Sequence, residues 1–331
     1  MFIIEEYSTA VIFCFVTMIC WGSWANTQKM ASDCWRFELF YWDYVFGILL
    51  ASLLFALTLG SVGSGGRSFI ADLAQSEARF VGSALLGGAI FNAGNILLVA
   101  AIAMAGMSVA FPVGIGIALV WGVVLNYMNN PVGDALLLFS GVTLVVAAIL
   151  LNAYAYNHNS SQKKGVSVRG LFLSVAAGIL MGYFYKYVTA SMFTDFSTPE
   201  AGKLSPYSAV FLFSLGVLLS NFIFNTILMR KPIHGEAVKF RDYFKGSISD
   251  HLMGLLGGGV WCLGMSLNIL ASDKAGPAIS YGLGQGATVI AAVWGIYVWK
   301  EFRGADKRTP LILNWMLVCY LAGLALLIAA R

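Results

Sequence analysis

Two stretches of this 331-residue chain, Leu85–Gly116 (LLGGAIFNAGNILLVAAIAMAGMSVAFPVGIG) and Leu255–Gly286 (LLGGGVWCLGMSLNILASDKAGPAISYGLGQG), lie on each other without a gap at an offset of 170. Eleven of 32 positions are identical, among them Gly87, Gly88, Gly94, Ala105, Gly106, Gly114 and Gly116 against Gly257, Gly258, Gly264, Ala275, Gly276, Gly284 and Gly286. Apolar composition makes any two membrane helices look alike, but it does not put seven small residues in one register. The chain reads as an internal duplication. Both stretches are apolar enough to lie in hydrocarbon, where the backbone must satisfy its own polar groups and therefore coils as helix.

The rest of the chain has the same character. AVILMFWYC make up 59% and charged residues 11%, whereas about a quarter of an ordinary globular domain is charged. So little polar surface excludes a soluble dinucleotide-binding enzyme, a secreted disulfide scaffold and a nucleic-acid binder. The net charge of +4 is spread over loops between apolar runs. Cys14, Cys20, Cys262 and Cys319 lie within apolar runs as small hydrophobes, leaving Cys34 in a loop, so no disulfide framework is expected. The opening MFIIEEY carries Glu5 and Glu6 in place of a basic leader, so the first apolar run is expected to be retained.

Crossing the hydrocarbon core takes about 20 apolar residues as helix. Ten runs qualify, near 7–29, 38–60, 79–105, 107–127, 134–155, 167–191, 205–230, 250–272, 276–299 and 309–330. Ten alternating spans place fourteen Lys and Arg on one side and five on the other, with Lys186 alone inside a span. The basic side is then cytoplasmic and both termini are expected outside. Spans 3 and 8, which hold the two repeat copies, are five crossings apart and must run in opposite directions. The expected fold is an all-α polytopic membrane protein of two inverted five-helix repeats, 1–156 and 167–331, joined by a cytoplasmic linker at 157–166. That architecture lets one central site face either side in turn.

Polar groups inside spans mark candidate function. Asp43, in Tyr41-Trp42-Asp43-Tyr44, would take up and release a proton if its surroundings alternate between wet and dry; at headgroup level it would instead favour the helix dipole. Lys186 could snorkel to the interface, pair with a carboxylate or meet an acceptor on substrate. Trp21, Trp24 and Asn26 in span 1, Asn92 and Asn95 in span 3, Trp261 in span 8, and Tyr281 and Gln285 in span 9 combine amides with aromatic faces. Such a set suits a small neutral polar solute, although each Asn could equally hold helices together. The paired sites Gly114-Ile115-Gly116 and Gly284-Gln285-Gly286 would serve close packing, a hinge or bare-backbone contact with substrate. Three scattered histidines lack metal-ligand spacing, and no nucleophile motif is found, so neither metal, cofactor nor enzymatic chemistry is expected.

Several motifs resemble one group of transporters. Gly22-Ser23-Trp24, Tyr41-Trp42-Asp43-Tyr44, Gly94-Asn95 followed by Ala105-Gly106-Met107-Ser108-Val109, Leu125-Asn126-Tyr127, and Val293-Trp294-Gly295 with Lys300-Glu301-Phe302 carry the likeness. They are similar to patterns of the ureide permeases and the neighbouring glucose/ribose and rhamnose porters, within the drug/metabolite transporter superfamily. The resemblance implies secondary active uptake, driven by a proton gradient, of a ureide or nucleobase such as allantoin or uracil. A sugar porter, or an exporter on the same scaffold, is the alternative. The short link through Ser160 and Lys164 departs from the long loop of plant members and is like a bacterial one, which implies a bacterial inner membrane. The implied partners are a small-molecule substrate and the lipid bilayer, with no nucleic acid, and either a monomer or a homodimer.

Overall fold

The computed structural model describes the chain except residues 33, 64, 106, 160–166, 234 and 301–307, and except the side chains of 107, 108 and 156–159. Gly106, most of the expected linker at 157–166, and Glu301-Phe302 therefore lie outside the described residues.

Fourteen helices are described: α1 Tyr7–Ser23, α2 Asn26–Met30, α3 Phe37–Leu57, α4 Phe69–Gln75, α5 Ala78–Ala105, α6 Met107–Asn129, α7 Ala135–Asn159, α8 Val168–Ser191, α9 Pro206–Arg230, α10 Phe240–Tyr243, α11 Ile248–Ala275, α12 Pro277–Gly284, α13 Ala287–Val293 and α14 Thr309–Ala329. A π-helical turn, Trp294–Val298, follows α13. These give ten helical segments long and apolar enough to cross a membrane. Among the described residues there is no strand, only an isolated bridge between Met192 and Leu204. Spans 1 and 9, expected as continuous helices, are each interrupted: α1 gives way to α2 at Trp24-Ala25, and α12 to α13 at Gln285-Gly286. The short helices α4 and α10 lie in connections that sequence periodicity left unassigned.

Ten crossings bring both termini to one end, where the Tyr7 hydroxyl donates to the Ile328 carbonyl and Asp134 N–H to the Ala330 carbonyl. This is the terminus end; α10 and the starts of α3, α8 and α11 lie at the far end.

Helix packing repeats itself between the halves. α5 packs on α8 and α9, and its counterpart α11 packs on α1 and α3; α7 pairs with α14, α3 with α9, and α6 with α12. The closest approaches recur atom for atom. A Cβ at Gly88 would strike the Phe213 carbonyl, and one at Gly216 the Leu85 carbonyl. In the other half a Cβ at Gly258 would strike the Tyr44 carbonyl, and one at Gly47 the Leu255 carbonyl. Only hydrogen fits at these four positions, two on each crossing. In lipid, where apolar surface gains nothing by leaving the solvent, such backbone contact is what holds helices together. Gly94 meets Leu180 and Met181 as Gly264 meets Cys20 and Trp21, so α1 and α8 correspond at an offset of 160.

Candidate functional site

A cavity of about 110 Å³ lies among α1, α5, α6, α8, α11 and the broken span 9. It is several times the roughly 10–15 Å³ that seats one water. Its wall is built from repeat mates: Trp21 and Met181, Trp24 and Phe184, Phe91 and Trp261, Ile115 and Gln285 all face it. The same offsets that relate the packing of the halves relate these pairs, so both halves contribute matched positions to the cavity wall. Asn95, Leu98, Phe111, Ala287, Thr288 and Ala291 complete the lining.

None of these side chains carries a charge. The Trp21 and Trp261 rings are nearly parallel, 5.9 Å apart and 15° from coplanar, and Phe91 lies 4.5 Å from Trp261. The Trp21 indole N–H is spent on the Trp261 carbonyl at 3.2 Å. Thr288 donates to the Gln285 carbonyl and accepts from Tyr320. Among the described residues, the Gln285 amide and the Asn95 carbonyl oxygen form no hydrogen bond with the protein. The wall therefore offers flat aromatic faces and two amides with unused capacity.

Both helix breaks open onto this cavity, and both have the same cause. Thr27 donates its hydroxyl to the Trp24 carbonyl at 2.8 Å, and Asn26 its amide to Ser23 at 2.9 Å, while the Thr27 N–H turns back to Trp24. In span 9 the Thr288 hydroxyl reaches the Gln285 carbonyl at 3.1 Å, and Gly286 N–H bonds only three residues back, to Leu283. Polar side chains competing for carbonyls tighten one turn and interrupt the i→i−4 ladder. The carbonyls held by the two threonines, those of Trp24 and Gln285, belong to residues of the cavity wall. Gly284 and Gly286 close the second break, where a Cβ would lie 2.8 Å from Asn268 and 2.8 Å from Met18 respectively. Their mates differ. Gly114 packs against Leu98 inside unbroken α6, and Gly116 faces open space in an apolar groove on the outside of the bundle.

The structure brings Trp21, Trp24, Asn95, Trp261 and Gln285 into one wall and places the other predicted substrate residues elsewhere. Asn26 is held by span 9: its Oδ1 accepts from the Trp299 indole at 2.7 Å, while Trp294 donates to Ser23 Oγ at 2.9 Å. The π turn, closed by Trp299 N–H to the Trp294 carbonyl, is what brings these two indoles to one face. Tyr281 is buried beneath the cavity and donates to the Ala118 and Met181 carbonyls. Asn92 is fully buried behind Asn95. Lys186 is half-buried on α8 at the repeat position of Asn26, and its ammonium forms no ion pair among the described residues.

Asp43 is 2% exposed and stands outside the cavity wall. Its carboxylate accepts from the Tyr243 hydroxyl of α10 and lies 2.9 Å from His251 Nδ1 of α11. Burial, and then the carboxylate it donates to, hold the Tyr243 hydroxyl above the usual phenol range, so it stays a donor. Three helices, α3, α10 and α11, are thereby tied at the far end. Sequence reading set the three histidines aside for lack of metal-ligand spacing; the signal it passed over is that Asp43 and His251 both stand within two turns of the far end of a span. The phenylalanines, Ile115 and Met181 of the wall were missed too, since apolar residues facing a cavity and facing lipid look alike in sequence.

Comparison with known proteins agrees with this architecture. The ureide permease family model matches residues 40–167 and 162–330. Ureide permease 4 of Arabidopsis thaliana is 25% identical over 100% of this chain and 99% of its own length. A putative ribose uptake protein, RbsU of Latilactobacillus sakei, is 22% identical over 82% of this chain and 83% of its own. A crystal structure with 12% sequence identity shares the fold at a TM-score of 0.59, covering 96% of both chains. The chain, a multi-pass membrane transporter and not an enzyme, belongs to the ureide permease family.

Proposed function

We propose that this family member imports a small neutral metabolite of the ureide or nucleobase type by alternating access, driven by a proton gradient. The observation that carries the reading is the uncharged, aromatic-walled cavity astride the two repeats, opened by a break in each of two helices. Broken helices at a repeat interface are where transporters bind their solutes. A planar solute rich in N–H and C=O would stack on Trp21 and Trp261 and pair with the amides of Asn95 and Gln285. A sugar, the reading favoured by the RbsU relative, would leave most of its hydroxyls without partners in this wall.

The repeats 1–156 and 167–331 act as the rocking halves, and the far end, which carries most Lys and Arg, faces the cytoplasm of a bacterial inner membrane. Asp43 is the coupling group. In the state described here it is paired with His251 and Tyr243, with Asp250 held apart by Ser32 and Ser247. Parting of α3 from α11 strips these partners away, and the carboxyl then carries a proton until the cluster closes again. The test is uptake of labelled allantoin, uracil, glucose and rhamnose into proteoliposomes with and without a proton gradient. Gradient-dependent accumulation of allantoin or uracil supports the reading; accumulation of glucose or rhamnose alone, or of none, overturns it.

A further inference from the structure

Behind the cavity wall runs a hydrogen-bonded chain that reaches the cavity only at Asn95. Asn92 Nδ2 donates to the Val217 carbonyl at 3.3 Å and to Ser220 Oγ at 2.9 Å. Tyr41 OH donates to Asn92 Oδ1 at 2.9 Å, and Asn95 Nδ2 donates to the Tyr41 oxygen at 3.0 Å. Every member is buried, and Tyr41 and Asn92 are fully so.

The anchor fixes the direction of each bond. A backbone carbonyl can only accept, so Asn92 must turn its NH₂ toward Val217 and its oxygen toward Tyr41. Ser220 spends its own hydrogen on the same carbonyl, at 3.0 Å, and can only accept from Asn92. Tyr41 has one hydrogen, which goes to Asn92, leaving its oxygen as an acceptor. Asn95 must then meet Tyr41 through its NH₂. The amide of Asn95 cannot flip without setting two acceptors, or two donors, against each other in a buried place.

We infer that Tyr41 and Asn92 are positioning residues that lock the Asn95 carbonyl oxygen toward the cavity as a fixed acceptor, so that the solute must present an N–H at that point. This rests on the ureide reading and sharpens it: the site selects an unsubstituted ring or ureido N–H over its N-alkylated form. Sequence alone could not distinguish this role for Asn92 from that of interhelical glue, because the polarity of the chain is set by Val217 on another span.

The experiment uses hydantoin, the simplest cyclic ureide, and its N1-methyl and N3-methyl derivatives as competitors of labelled allantoin uptake in proteoliposomes. The unmodified protein is expected to prefer hydantoin over one of the two methyl derivatives by about tenfold or more, the worth of one buried hydrogen bond and its unmet partner. Tyr41→Phe frees the Asn95 amide to turn, and the preference should fall to about twofold or less while allantoin uptake persists. Should Tyr41→Phe fail to fold, Asn95→Ala at the cavity wall is expected to give the same collapse. A variant that weakens hydantoin and both derivatives equally, keeping the ratio, would show Tyr41 to be merely structural and overturn the inference. Equal competition by all three compounds in the unmodified protein would overturn it as well, leaving the ureide reading intact. Absence of any competition by hydantoin would overturn that reading and this inference with it.

Discussion

The two halves of the molecule share their packing and differ in what they hold. Gly47 and Gly258 close one crossing as Gly216 and Gly88 close the other, each against a backbone carbonyl. At corresponding positions the chemistry diverges: Gln285 stands where the first half has Ile115, Asn95 where the second has Met265, and Asp43 where the second has Leu212. Span 9 is broken beside Gln285, while α6 runs on through Ile115. Close backbone approach has to exist in both halves, since each must cohere in lipid without help from the hydrophobic effect. A polar group need exist in one half only, because the cavity belongs to both.

The largest effect is expected at the shared crossings. Gly88→Leu and Gly258→Leu should each cost at least about 3 kcal/mol by overpacking a backbone contact, and leave little folded protein in detergent size-exclusion and melting assays. A silent result at one of them would mean that the halves do not depend on the same contact. Next comes the unshared carboxylate. Asp43→Asn should abolish gradient-driven accumulation while solute counterflow survives, and Leu212→Ala at the mate position should leave coupling unchanged; undiminished accumulation in Asp43→Asn would remove that residue from the mechanism. Smaller still, Gln285→Ile, which copies the mate, should raise KM by about tenfold, whereas Ile115→Gln should shift it by about twofold or less. The least effect is expected outside the cavity: Trp294→Phe removes one indole donor to Ser23 and should lower stability by about 1 kcal/mol, read by melting, with KM unchanged.

Much of the fold could be read before any coordinates, because bilayer thickness fixes span length and the glycine register of 85–116 on 255–286 exposes the duplication. The break in span 9 was foreshadowed by Gly284-Gln285-Gly286. The break in span 1 was not, since it arises from the side chains of Asn26 and Thr27 reaching back for carbonyls in a stretch without proline. Of the wall, the indoles and amides stood out against an aliphatic background, but Phe184 and Met181 did not. The pairing of Asp43 with His251, 208 residues away, needed the packing of α3 on α11, which no local pattern encodes.

The most direct measurement is the structure of the protein with allantoin bound. The solute is expected against the Trp21 and Trp261 faces, with one N–H directed at the Asn95 oxygen and the Gln285 amide alongside. Allantoin seated instead in the recess at the terminus end beside Asn130, Thr194 and Lys203, with the cavity lined by Trp21, Asn95 and Trp261 empty, would contradict a transport site shared by the two repeats.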